Sequence, residues 1–166
     1  MNVIKSASQL LLVFLFALVS IQANAQNKAQ KNELIKKLLE SKIFVFMAQS
    51  ATPMSGSMIQ LSSEYFFKIN KDSLESHLPY YGVAYQARFG STESPLHFKS
   101  TDFSFSMRES KRGLIEISIH LNKPDDPDQI SLSVSSGGYA TLRVISMNRQ
   151  PISFYGTLEA PKPPRR

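Results

Sequence analysis

The sequence predicts a mainly β (α+β) fold: an N-terminal helix followed by an antiparallel up-and-down β-meander curled into a barrel or half-barrel. A two-sheet β-sandwich is the competing arrangement. Three observations point there. From residue 43 onward, apolar and polar side chains alternate at the period of two that a half-buried strand requires. Turn-forming residues recur between these runs, and short turns join antiparallel neighbours because a parallel crossover needs about a dozen residues or more. A single amphipathic stretch precedes the strands and is too short to cover the whole apolar face. The sheet must bury the rest by curling or stacking.

The first 25 residues read as a signal peptide. Lys5 supplies a positive start, Leu10 to Ile21 forms a 12-residue apolar run, and Ala23-Asn24-Ala25 fits a small-x-small cleavage pattern. That run is short of the roughly 20 residues a bilayer span needs. Cleavage between Ala25 and Gln26 is expected, with the mature chain in the periplasm or outside the cell and without stable membrane insertion.

Residues 26–158 then form one β-rich domain. A helix is expected over about residues 28–42, with Leu34, Ile35, Leu38 and Leu39 as its apolar stripe. Ile43 to Ala48 is apolar on both faces, which predicts a strand covered on both sides, by the helix on one and the core on the other. Ala51 to Ser57 reads as a loop, and Met58–Leu61 and Tyr65–Ile69 as separate strands. Asp72 followed by Glu75 suggests a capped helical turn over Ser73–His77. Leu78 to Tyr85 (LPYYGVAY) fits no period and reads as an aromatic loop.

Beyond it the alternation is clean. Phe103, Phe105 and Met107 share one face. Ile115, Ile117, Ile119 and Leu121 do the same, as do Ile130, Leu132 and Val134; Ala140, Leu142 and Val144; and Ile152, Phe154 and Leu158. The turns are Ser110–Gly113, Lys123–Asp128, Ser136-Gly137-Gly138 and Asn148-Arg149. These strands look shorter than the roughly 9–11 residues of an outer-membrane barrel. Residues 159–166 are expected to be a disordered Pro/Arg tail.

The charge balance argues against nucleic acid as a partner. The formal +6 sits in the flanks and the signal and not on the strands: residues 43–158 hold ten Lys or Arg against ten Asp or Glu, whereas residues 26–42 carry five Lys against two Glu. A nucleic-acid domain concentrates its cations on the fold, opposite a row of phosphates. The chain has no Cys, which removes thiol nucleophiles, disulfides and thiolate metal sites. Its three His (His77, His97 and His120) show no ligand spacing, so no metal site is expected. Asp125, Asp126 and Asp128 read as an acidic turn and not as a Ca²⁺ loop. No nucleophile elbow, phosphate-binding loop or dinucleotide fingerprint is present, so no catalytic residue and no cofactor is assigned.

Candidate ligand-binding residues are Tyr80, Tyr81 and Tyr85 of the aromatic loop, and Arg149 at the last hairpin. Clustered tyrosines offer apolar rings with polar tips, which suits ligand stacking, sugar contact, a lid or a protein-binding edge. The same residues equally suit an aromatic plug closing one end of a curled sheet.

Several of these segments resemble the bacterial envelope proteins grouped as domain of unknown function 4251. The resemblance rests on Phe44-Val45-Phe46-Met47-Ala48 with Pro53 and Gly56, Leu61, Tyr65, the Leu78–Tyr85 segment and Phe98. It continues through Asn148-Arg149-Gln150 with Ile152, Phe154 and Gly156. It spans about Leu34 to Leu158, and LPYYG is its most specific part. Two departures stand out, since the family pattern has Phe at position 81 and Arg at position 83, here Tyr81 and Val83. The resemblance implies an exported protein of the Gram-negative envelope and carries no catalytic residue.

The expected function is a non-catalytic periplasmic binding or accessory module whose partner is a small molecule or an envelope protein. An envelope structural or protein-interaction role is the alternative, and a hydrolase with a dispersed site a third. The interior of the curled sheet separates them: an open cavity would argue for a small-molecule site, a filled one for work done at the surface.

Overall fold

The computed structural model describes residues 30–85, 94–110, 113–122 and 127–162. The expected signal peptide, residues 28–29 of the expected helix, residues 111–112 of the Ser110–Gly113 turn, residues 123–126 of the acidic turn, and residues 163–166 of the expected tail lie outside these. A helix α1 spans 30–40. The strands follow as β1 (Ile43–Pro53), β2 (Ile59–Asn70), β3 (Ser73–His77), β4 (His97–Ser100) and β5 (Phe103–Glu109). They continue with β6 (Ile115–Leu121), β7 (Gln129–Val134), β8 (Tyr139–Ser146) and β9 (Arg149–Glu159).

All nine strands belong to one antiparallel sheet, in the order β4-β3-β2-β1-β9-β8-β7-β6-β5. The two edge strands, β4 and β5, are consecutive in the chain and separated only by Thr101 and Asp102. In effect one bent strand pairs with β3 through its first half and with β6 through its second. This brings the two edges together and nearly closes the sheet into a barrel, removing the exposed edges that a flat sheet would leave. The bend is pinned by Asn122, whose Nδ2 donates to Asp102 Oδ1 at 2.8 Å and whose backbone N donates to Asp102 O at 3.2 Å. A single curled sheet, and not a two-sheet sandwich, is therefore the solution.

Alternation places the apolar face inside. Phe44, Phe46, Phe67 and Phe154 meet Ile69, Ile117, Ile119, Ile130, Leu132 and Leu142 there, each at most 1% exposed. The outward residues are largely polar, the reverse of the distribution in a membrane barrel. No helix among the described residues is long and apolar enough to cross a membrane.

The helix sits at one end of the barrel. Ile35 packs on the Gly138 turn between β7 and β8, Leu39 is fully buried in the common core, and Lys36 reaches Glu109 at the end of β5, 3.1 Å away. Lys42 lies over the Phe105 ring, 5.0 Å from its centroid. This corrects the expectation that the helix backs onto β1. The outward Val45 and Met47 are half-buried and line a groove with Glu64, Phe66, Lys68 and Glu159, none of which belongs to the helix. Leu34, expected on the apolar stripe, is 66% exposed, whereas Ile35 and Leu39 are buried and Leu38 is half-buried against the core.

Further expectations are corrected. Ser73–His77 is a strand, not a helical turn. A tight turn at Lys71-Asp72, with Lys71 at a φ of 54°, sends it back along β2, and Leu74 and Ser76 point inward beside Ile69 and Phe67. Residues 59–61 and 65–69 belong to one strand interrupted by a bulge, with Met58 left in the preceding loop, since pairing with β1 jumps from Ala48↔Tyr65 to Ser50↔Gln60. β1, β2 and β9 run to 11, 12 and 11 residues, longer than their alternation suggested, and Ala51–Pro53, expected in a loop, pair with β9 as the end of β1. The last hairpin turns at Met147-Asn148, one residue earlier than expected, because Arg149 pairs with Ser146.

Candidate functional site

The end opposite the helix carries the sequence-nominated residues. Here the β1–β2 loop, the 78–85 segment and the β8–β9 hairpin converge. The 78–85 segment leaves β3 and folds onto the hairpin through a single isolated bridge. Ala84 bridges to Arg149, Tyr85 N donates to Asn148 O at 2.8 Å, and Gln150 N donates to Val83 O at 3.1 Å.

Tyr80 lies beneath this contact. Its hydroxyl stands 3.0 Å from Gln150 O and 3.1 Å from Val83 O, so its one proton is shared between two carbonyls that belong to different segments. The Arg149 guanidinium lies over the Tyr80 ring, 5.6 Å from its centroid, where the ring's negative face attracts it. Gly82 passes so close that a Cβ there would stand 2.7 Å from the Tyr80 hydroxyl oxygen.

The structure thus joins Tyr80 and Arg149 directly. Tyr81 is half-buried and packs against the core, whereas Tyr85 is exposed beside the hairpin tip. Sequence reasoning missed Gln150 as a junction. Its Oε1 accepts from Val83 N at 3.3 Å and from Ser55 Oγ at 3.4 Å, tying all three segments together. It also missed Met54, Met58 and Met147 as exposed side chains at this end. The available signal was lack of charge: no Lys, Arg, Asp or Glu occurs from residue 43 to 63, from 76 to 87, or from 144 to 148.

Two other features lie on the outer wall. His77 and His97 face each other across β3 and β4 with ring centroids 4.0 Å apart, and His77 also stacks on Phe66 at 5.6 Å. The third histidine, His120, is exposed on β6 between Ser104 and Gln129. Among the described residues, no group of three or more His, Asp or Glu side chains is placed to hold a metal ion. A cavity of about 350 Å³ lies over Lys68, Glu75 and Lys99, and one of about 190 Å³ over Val45, Met47 and Phe66. Both are grooves on the outside of the barrel. The interior itself is occupied by the phenylalanines and branched aliphatics of the core.

The fold and site together define a class: a small antiparallel barrel with a side-chain-filled interior and a cluster of interlocked loops at one end. A family model described as Domain of unknown function (DUF4251) matches residues 26–158, and the chain belongs to that family. Among solved structures, the fold is similar to that of a DUF4251 family protein from Bacteroides eggerthii DSM 20697. That protein is 19% identical, the match covers 80% of this chain and 89% of that chain, and the TM-score is 0.55. No curated protein matches the chain.

Proposed function

We propose that this protein is an exported, non-catalytic binding or accessory module of the Gram-negative envelope, and that it works through its outer surface at the loop end. The filled interior carries the reading. Small-molecule carriers built on eight or so strands keep the barrel lumen open, whereas here Phe44, Phe46, Phe67 and Phe154 occupy it. The signal-like residues 1–25 support export. The loop end supports a recognition role, because it is held in shape by Tyr80 and Gln150 while presenting exposed apolar side chains.

The test is fractionation of cells expressing the full chain, with determination of the N-terminus of the recovered protein. A periplasmic or released chain starting at Gln26 is expected. A cytoplasmic chain that retains Met1 would overturn the export reading. Hydrolase assays on ester and glycoside panels are expected to give no turnover, and reproducible turnover abolished by a single substitution would overturn the non-catalytic reading.

A further inference from the structure

His77 and His97 stand 20 residues apart in the chain, yet the β3–β4 register sets them directly opposite each other. Leu78 N donates to Leu96 O at 3.4 Å, so the neighbouring 78/96 pair is the hydrogen-bonded one. The two histidines then occupy a non-hydrogen-bonded position, where facing side chains come closest. Both are half-buried on the outer wall, with ring centroids 4.0 Å apart and planes 20° from parallel. Tyr65 and Phe66 of β2 back the His77 ring at 5.8 and 5.6 Å. The start of β4 is fixed as well: Ser94 Oγ donates to Leu78 O at 2.7 Å, and His97 N donates to Ser94 O at 2.9 Å. Packing alone does not call for imidazole here, since Phe66 and Met47 continue the same row across β2 and β1 as plain hydrophobic side chains.

We propose that His77 and His97 form a cross-strand chelate for a divalent transition metal of tetragonal preference, Cu²⁺ above all, with solvent water in the remaining positions. Imidazole nitrogen is the protein ligand that such ions share. A metal held about 2.0 Å from one nitrogen of each ring sets the ring centroids roughly 4.5 Å apart at a right-angle bite and roughly 5 Å apart at a tetrahedral one. The observed 4.0 Å lies nearer the first. That favours the square geometry of Cu²⁺ or Ni²⁺ over tetrahedral Zn²⁺, and Cu²⁺ binds most tightly in this series. Rotation about the two χ2 bonds opens the remaining half ångström or so, within the broad range of a torsion onto a planar ring. Each ring ligates through one nitrogen, which leaves its other nitrogen for a hydrogen bond that fixes the ring. Among the described residues no third His, Asp or Glu side chain joins the pair. The site is therefore one with open, exchangeable positions and not a closed structural centre.

The chain has no Cys and, beyond this pair, only His120 as a further imidazole, so the full chain without a histidine tag allows a clean test. Calorimetric titration with CuCl₂ at neutral pH is expected to show one ion per chain. Electron paramagnetic resonance of the loaded chain is expected to show two imidazole nitrogens on a tetragonal centre. His77→Phe and His97→Phe keep a ring in the row while removing the ligand. Each should weaken binding by roughly tenfold or more, as a chelate becomes a single imidazole, and leave one nitrogen in the resonance spectrum. His120→Gln should change neither. Cu²⁺ should also raise the melting temperature of the parent chain, because the two rings face each other only when β3 and β4 are paired. That rise should be lost in both Phe variants. Should a Phe variant fail to fold, the nitrogen count and the thermal rise of the parent chain still decide. A parent spectrum with fewer than two imidazole nitrogens, binding undiminished in folded Phe variants, or binding removed by His120→Gln overturns the chelate. Lack of Cu²⁺ binding at submillimolar metal overturns it as well, and tighter binding of Zn²⁺ than of Cu²⁺ overturns the choice of metal.

Discussion

Gly156 of β9 lies directly against the main chain of Met47 in β1, so close that a Cβ at position 156 would overlap the Met47 carbonyl. The pairing Ala48↔Gly156↔Ala140 places the smallest side chains in one row across three strands, next to the register shift in β1. Backbone cannot move aside as a flexible side chain can. Gly156→Ala is therefore expected to destabilise the fold by about 3 kcal/mol or more, the upper range for overpacking a dense core. Denaturant unfolding monitored by circular dichroism would measure it, and a loss under about 0.5 kcal/mol would contradict the close approach.

The filled interior makes a second prediction. Phe154 is 1% exposed, and it faces Ala51 on β1 and Leu142 on β8. Phe154→Ala removes a ring from a space that neighbouring strands cannot collapse into, at an expected cost of about 3–5 kcal/mol. The resulting void is apolar and should bind small aromatic solutes that the parent chain does not, which ligand-observed NMR can detect. Binding of such solutes inside the parent barrel would instead show that the lumen is a working site.

Tyr80 ties the 78–85 segment to the last hairpin through one hydroxyl. Tyr80→Phe keeps the ring beneath Arg149 but leaves the Gln150 carbonyl without that donor. A cost of about 1 kcal/mol is expected, the usual net value of a hydrogen bond. Hydrogen exchange should rise at Tyr85 and Gln150, whose amides cross the contact, while the β6–β7 amides stay protected. Uniform loss of protection over the whole barrel would show that this contact is part of the global folding unit.

Much of this architecture was legible from residues alone, for a physical reason. Strands β6 to β9 each present one apolar and one polar face and are joined by short turns, so the period of two fixes both their existence and their antiparallel order. What local pattern could not settle was pairing between distant segments. β1 against β9, and the near-closure through β4 and β5, depend on contacts across most of the chain. Ser73–His77 reads locally as a helical turn because Asp72 and Ser73 suit a helix cap as well as a tight hairpin turn, and only burial of Leu74 against the barrel interior decides between them. At the site, Tyr80 and Arg149 stood out by type. Gln150 did not, since an amide's role is set by what it reaches, and Met54, Met58 and Met147 did not, since methionine suits a core as readily as a surface.

The helix is held by two kinds of contact, and their magnitudes separate them. Lys36 and Glu109 form an exposed ion pair at 3.1 Å, with 42% and 56% of their side chains accessible. The hydrogen bond and charge of Glu109 raise the Lys36 pKa above the ordinary lysine value. Any stability from this pair is therefore fully present below the ordinary lysine range and lost as pH rises through the raised value, so none of it changes near neutrality. Solvent screening makes the pair a minor contributor. Leu39, fully buried, and Ile35, at 7% exposure, instead close the end of the core. Leu39→Ala should cost about 2–5 kcal/mol, whereas Glu109→Gln should leave the neutral-pH melting temperature nearly unchanged and remove only a weak, salt-sensitive decline at alkaline pH. Thermal melts of both variants from pH 7 to 11, at low and high salt, would measure this. A larger loss for Glu109→Gln than for Leu39→Ala would show that charge, and not burial, seats the helix on the barrel.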